Sequence, residues 1–180
     1  MIVFFGPIGA GKSMQGQILG IRMGWQWVST GAIFRASKDP EVQEILAKGQ
    51  LISSEKTYEV LAAALDEIKG QQIILDGFPR KKEQAEWLIE QQASHGYSVD
   101  LIIIIDVPTE EIVARLSGRG RADDAPEVIK DRLAIYFSEV DPILNYLKDQ
   151  NVPIVTVDGL GKVGEIHDRI MAEIQANHLG

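Results

Sequence analysis

An α/β fold, with a parallel sheet held between two layers of helices, follows from three features of the 180-residue sequence. Four short apolar runs, IVFF at 2–5, QIILD at 72–76, VDLIIIIDV at 99–107 and VPIVTV at 152–157, are nearly continuous rather than alternating, as strands covered on both faces require. The stretches between them carry helical periodicity and end in turn residues, which supplies the covers and the right-handed crossovers. The first run passes directly into GPIGAGKS at 6–13, a segment too rich in glycine to extend a strand or build a core.

Taken in order, the first strand leads through the glycine segment to a helix expected at 12–23. WQWVS at 25–29 is a weaker fifth strand, followed by helices at 30–36, 40–48 and 54–69. After the strand at 72–76 come a helix at 81–94, the strongest apolar run, and a helix at 108–117. A long helix is expected over 125–149 with a break near Pro142, then the last strand and a helix at 162–177. In ADDAPEV, Asp124 can cap a helix whose third residue is Glu127, and Pro126 is tolerated because a first-turn amide has no internal partner. Ile112, Leu116, Ile129 and Leu133 form a core stripe, Trp25, Trp27 and Trp87 are assigned to packing, and Glu41 and Glu44 to a solvated face. With 45% hydrophobic residues and no linker or repeat, one domain over 1–180 is expected.

The formal charge of −8, with no basic block to offset it, argues against nucleic-acid binding, which depends on cationic surface. Cysteine is absent, so a disulfide framework and a thiolate zinc site are excluded. His95, His167 and His178 lack metal-ligand spacing. Met1 leads into a strand without a charged leader, and LIIII at 101–105 is too short to span a bilayer. A soluble cytoplasmic protein is the expectation, with no membrane partner.

GPIGAGKS fits G-x-x-x-x-G-K-[ST], with Gly6 and Gly11 at its ends and then Lys12 and Ser13. Between a strand and a helix, its N–H groups can wrap an anion while the helix adds partial positive charge. The anion expected is the β-phosphate of a nucleoside triphosphate, with Lys12 reaching the β- and γ-phosphates and Ser13 on Mg²⁺; the alternative is a plain glycine-rich turn. Arginines gather at loop signals: Arg35, Arg80, Arg115, Arg119, Arg121 and Arg132. Transfer of a phosphoryl group onto another phosphate needs no general base, because the acceptor is already an anionic oxygen. It does need fixed cations to cancel the repulsion between the two substrates. Arginine suits this better than lysine because its planar fork holds phosphate oxygens bidentately.

GPIGAGKS, STGAIFR, GQLIS, ILDGFPRKKEQ, DVPTEEIVARLSGR and GRADD followed after seven residues by RL occur in the order seen in adenylate kinases and related nucleoside monophosphate kinases. The sequence resembles that family from about residue 1 to residue 160. The resemblance implies a P-loop NTPase three-layer α/β/α fold with a five-stranded parallel sheet, a small helical monophosphate flap over about 30–60 and a minimal lid over about 118–124, on a core of 1–29, 69–117 and 125–180. It implies reversible transfer from MgATP to AMP giving two ADP. ATP is then held by Gly9, Ala10, Gly11, Lys12, Ser13 and Met14, with Arg115 and Arg119 beside it and Gly159 in the turn that meets its base. AMP falls to Thr30, Gly31, Arg35, Gly77, Arg80, Gln84, Arg121 and Arg132, with Gln84 reading adenine. Lys12, Arg80, Arg119, Arg121 and Arg132 are the implied catalytic set, and Ser13, with Asp76 through water, the implied Mg²⁺ ligands. Asp123 resembles an acidic lid residue that pairs with the arginines. A monomer is expected.

Each of these positions has a plainer reading. Glu111 and Arg115 fit a surface ion pair, Asp76-Gly77 a turn, Thr30 a helix cap and Gln84 a solvated helix residue. Two other functions stay open: a UMP/CMP-type kinase, for which Gln84 is the discriminating residue, and a non-catalytic nucleotide sensor, against which the arginine set argues. The sequence also departs from the family. Lys12-Ser13-Met14 stands where Lys-Gly-Thr is common, the segment between Arg35 and Gln50 is shorter, and Ala32 replaces a common aspartate. Only Gly120 separates Arg119 from Arg121, which leaves no room for a zinc-bearing lid. SGRGRADD is expected to close by rearranging about its glycines, with faster product release or more ATP hydrolysis as the consequence.

Overall fold

Five parallel strands form one sheet in the order β2-β3-β1-β4-β5. The computed structural model describes residues 1–118, 120, 121 and 124–179. The strands are β1 (Ile2–Phe5), β2 (Gln26–Ser29), β3 (Ile73–Asp76), β4 (Leu101–Asp106) and β5 (Ile154–Asp158). The helices are α1 (Lys12–Met23), α2 (Thr30–Ala36), α3 (Pro40–Ala47), α4 (Ser54–Glu67), α5 (Lys82–Glu90), α6 (Gln92–His95), α7 (Thr109–Ser117), α8 (Pro126–Asp149) and α9 (Val163–Ala176). The weak strand WQWVS is therefore real and lies at the sheet edge beside β3.

The unbroken apolarity of β1 has a direct cause. Its side chains alternate between two cores, Ile2 and Phe4 facing one layer, Val3 and Phe5 the other. The first layer packs Leu19 of α1, Ile112 and Leu116 of α7 and Ile166, Ile170 and Ile174 of α9. The second packs Leu61 and Leu65 of α4, Leu88 of α5 and Ile143 and Leu147 of α8. Helix α8 belongs to both, because its first half adds Ile129 and Leu133 to the opposite layer. Phe34, Val42 and Ile52 make a small separate core for α2 and α3. Tyr58 stacks on Trp87 at a centroid separation of 4.7 Å, and Trp25 and Trp27 pack on the first layer, as expected of packing residues.

Two helix expectations are corrected. α8 runs through Pro142 without a break: Pro142 and Ser138, whose carbonyl loses its helical partner, both lie on the exposed side of the helix, while buried Ile143 and Leu147 hold it down. The helix expected over 81–94 is interrupted at Gln91, whose N–H is shared between the carbonyls of Trp87 and Ile89 in a tightened turn. Among the described residues no helix is long and apolar enough to cross a membrane.

Candidate active site

Four of the five strands place candidate site residues at their carboxyl ends, the edge where open parallel sheets bind ligands. The glycine loop follows β1, Thr30 follows β2, Asp76 ends β3 with Gly77 next, and Gly159 follows β5. In the glycine loop, Gly6 takes φ +135°, and a Cβ built there would lie 2.6 Å from the Ile105 carbonyl oxygen, so both its angle and its surroundings demand glycine. Gly11 takes φ +99° as the N-cap of α1, and a Cβ there would meet no atom within 4 Å; the loop opens onto free space at the helix N-terminus.

Lys12 Nζ donates to the carbonyls of Gly6 at 2.6 Å and Pro7 at 2.7 Å, tying the loop to its own first helical turn. Ser13 Oγ donates to Asp76 Oδ2 at 2.5 Å, and Ser29 Oγ reaches the same oxygen at 3.1 Å. Asp76 is buried, so this carboxylate sits among hydroxyl donors from two other segments. A hydroxyl and a carboxylate side by side are the hard oxygen ligands that Mg²⁺ takes alongside phosphates, and they fit the ion the sequence implies. Among the described residues no group of three or more His, Cys, Asp or Glu gathers for a metal.

On the other side, Thr30 Oγ1 donates to the Gly77 carbonyl at 2.9 Å and Arg80 Nε to the same oxygen at 2.7 Å. Thr30 is therefore not a helix cap; Ser29 caps α2 by accepting from the Ala32 N–H. A Cβ built on Gly31 would lie 3.0 Å from Arg35 Nη1 and 3.6 Å from Arg80 Nη2, so two guanidinium groups front the same glycine. Burial draws the Arg80 guanidinium below its ordinary value, and the Asp76 carboxylate opposes that shift. Gln84 is 2% exposed, which rules out a solvated surface residue. Its Oε1 accepts from the Arg80 N–H at 2.8 Å and its Nε2 donates to Ser54 Oγ at 3.2 Å.

Two cavities meet across this edge. One, of about 490 Å³, is lined by the loop residues Gly9, Ala10, Gly11, Lys12, Ser13 and Met14, with Asp76 and Arg115. The other, of about 300 Å³, is lined by Thr30, Gly31, Gly77 and Gln84 together with apolar residues of the flap such as Phe34, Leu51 and Ile52. Arg35, Arg80, Arg121 and Arg132 line both. Arg115 makes the expected ion pair with Glu111 at 2.8 Å, and its Nη2 also donates to the Gly159 carbonyl at 2.8 Å, which links α7 to the turn after β5. Arg119 and Asp123 lie outside the described residues. Asp124 is not the N-cap of α8: Ala125 takes that position, and Asp124 Oδ2 accepts the Arg121 N–H at 2.8 Å. Gly161, Val163 and Ile166 in the larger cavity and Phe34, Leu51 and Ile52 in the smaller are not among the residues expected from sequence, where an apolar side chain gives no sign that it faces a cavity and not the core.

A glycine loop opening onto a helix N-terminus, with its lysine and serine at the carboxyl edge of a parallel sheet, defines the phosphate-binding-loop class of nucleotide-binding proteins. Comparison with known proteins narrows the class. The adenylate kinase family model matches residues 4–152. The adenylate kinase of Mycobacteroides abscessus is 39% identical over 175 residues, covering 93% of this chain and 95% of that one. Those of Mycolicibacterium paratuberculosis and Mycobacterium tuberculosis are each 36% identical, over 180 and 179 residues, covering 96% and 94% of this chain and 98% and 96% of theirs. The chain belongs to the adenylate kinase family.

Proposed function

We propose that the protein transfers the terminal phosphoryl group of MgATP to AMP, giving two ADP, and that it does so reversibly. The observation that carries this reading is the shared arginine set: four guanidinium groups, from 35, 80, 121 and 132, line both cavities beside Lys12. Two polyanions brought together there have their repulsion cancelled by fixed cations, which is the main catalytic demand of this reaction. The loop N–H groups and Lys12 hold the donor phosphates. Arg35 and Arg80 fix the acceptor phosphate. Arg121 and Arg132, with Arg119, stabilise the charge spread over the group in transit. Ser13 and Asp76 would hold Mg²⁺, which when bound neutralises phosphate oxygens. No base is required, since the attacking oxygen is already ionised.

Gln84 fits the adenine edge of AMP, because a buried amide offers an acceptor and a donor to the 6-amino group and the neighbouring ring nitrogen. In this reading residues 30–60 form the monophosphate flap and 118–124, part of which lies outside the described residues, a reduced lid, with either faster product release or more ATP hydrolysis as its signature. We infer a monomer acting in the cytoplasm. The test is ADP formation by the purified protein with ATP, Mg²⁺ and a panel of AMP, GMP, UMP and CMP. AMP is the expected acceptor. Faster turnover of a pyrimidine monophosphate overturns the specificity, and no turnover of any monophosphate overturns the kinase.

A further inference from the structure

Four groups in series stand behind the acceptor cavity. The Arg80 N–H donates to Gln84 Oε1 at 2.8 Å, Gln84 Nε2 donates to Ser54 Oγ at 3.2 Å, and Ser54 Oγ donates to Glu83 Oε1 at 2.5 Å. Gln84 lines the cavity; Ser54 and Glu83 are not among its lining residues. Glu83 is half exposed, with Lys81 Nζ 3.7 Å away, and the Tyr58 phenol lies beside Ser54 one turn along α4.

Each link has a fixed polarity. A backbone N–H only donates, so the Gln84 atom facing Arg80 must be the carbonyl oxygen. A carboxylate only accepts, so the single Ser54 proton goes to Glu83 and Ser54 turns a lone pair toward Gln84. The atom facing Ser54 must then be the amide nitrogen. A flipped amide would set N–H against N–H at Arg80 and lone pair against lone pair at Ser54. With these contacts made, the Gln84 amide keeps one lone pair on Oε1 and one N–H on Nε2, in a set order along its edge.

We propose that Ser54 and Glu83 are positioning residues that lock the orientation of the Gln84 amide and so select a 6-aminopurine over a 6-oxopurine in the acceptor cavity. A 6-aminopurine presents an exocyclic N–H donor beside an acceptor ring nitrogen, which matches carbonyl and N–H in the locked order. A 6-oxopurine presents an acceptor oxygen beside a ring N–H and needs the amide reversed. The proposal rests on the kinase reading above and adds to it the device that sets its purine preference.

The experiment compares kcat/KM for AMP and for IMP, with MgATP fixed, in the unmodified protein and in Glu83→Gln and Ser54→Ala. Glu83→Gln introduces a group that donates as well as accepts, which frees the Ser54 proton to point at Gln84; Ser54→Ala removes the lone pair that opposes the flip. Each variant is expected to lower the AMP:IMP ratio about tenfold, the equivalent of one or two modest hydrogen bonds, with Arg80 still holding the other side. A merely structural role lowers both rates together and leaves the ratio in place. A ratio within about twofold of the unmodified protein in a folded variant overturns the lock. The two changes sit on different helices, so one reads if the other fails to fold. Absence of AMP turnover in the unmodified protein removes the kinase reading itself, and is distinguished from failure of the lock because the lock is tested only by the ratio.

Discussion

In the proposed reading, the two halves of the cleft would recognise phosphate by different means. On the donor side the candidate groups come mainly from main chain, the amides of a loop shaped by Gly6 and Gly11, to which Lys12, folded onto the loop's own carbonyls, and Ser13 and Ser29, converging on Asp76, add side chains. On the acceptor side they come from long side chains, Arg35, Arg80 and Gln84, carried by segments far apart in sequence and backed by the small separate core of Phe34, Val42 and Ile52. Main-chain recognition reads charge and shape and leaves a compact sequence signature. Side-chain recognition reads a base, and its supporting contacts are scattered along the chain.

This contrast breaks most sharply at Lys12. Lys12→Met removes the charge beside the donor phosphates, and kcat is expected to fall by about 10²- to 10³-fold in a coupled assay of ADP formation, the range seen when one transition-state donor is deleted. Gly6→Ala comes next. A side chain would be forced onto the Ile105 carbonyl at a φ that L-residues avoid, and the fold should lose about 3 kcal/mol in urea unfolding. Arg80→Lys sharpens the comparison from the acceptor side. An ammonium cannot reproduce both the bond to Gly77 and a bidentate grip on phosphate, so the KM for AMP should rise by about 10- to 100-fold while the KM for ATP stays within about twofold.

The smallest expected effect lies beneath the donor loop. Gln15 of α1 donates to the Val163 carbonyl, and its Oε1 lies 3.1 Å from His167 Nδ1 of α9. Burial, reinforced by Arg22 and opposed by Asp168, holds the His167 imidazole below its ordinary value of 6.5. The folded protein therefore binds this proton more weakly than the unfolded chain. The contribution is complete above pH 6.5 and is lost as the pH falls below it toward the lowered folded value. Unfolding midpoints should drop between pH 7.5 and pH 5.5, and His167→Gln should flatten that slope.

Legibility followed the same division. The strands at 2–5, 72–76, 99–107 and 152–157 and the glycine loop were readable because each is a contiguous run with one cause, burial on both faces or a backbone turned by glycines into the N-terminus of α1. Arg35 and Arg80 were readable as arginines near turns, but their meeting in front of Gly31 depends on β2 and β3 being neighbours, which only pairing reveals. Gln84 was ambiguous in sequence because its partner Ser54 is thirty residues away. Pro142 misled for the opposite reason: its local penalty was plain, while the packing of Ile143 and Leu147 that overrides it was not.

The central claim is that a single cleft holds two facing polyanions within one arginine set. Calorimetric titration with two adenosines joined by five phosphates tests this most directly, because such a molecule spans both cavities at once. The account predicts one molecule bound per chain, tighter than ATP or AMP alone, with binding of both nucleotides abolished by it. Two molecules bound per chain, or a complex that still takes up AMP, would contradict it.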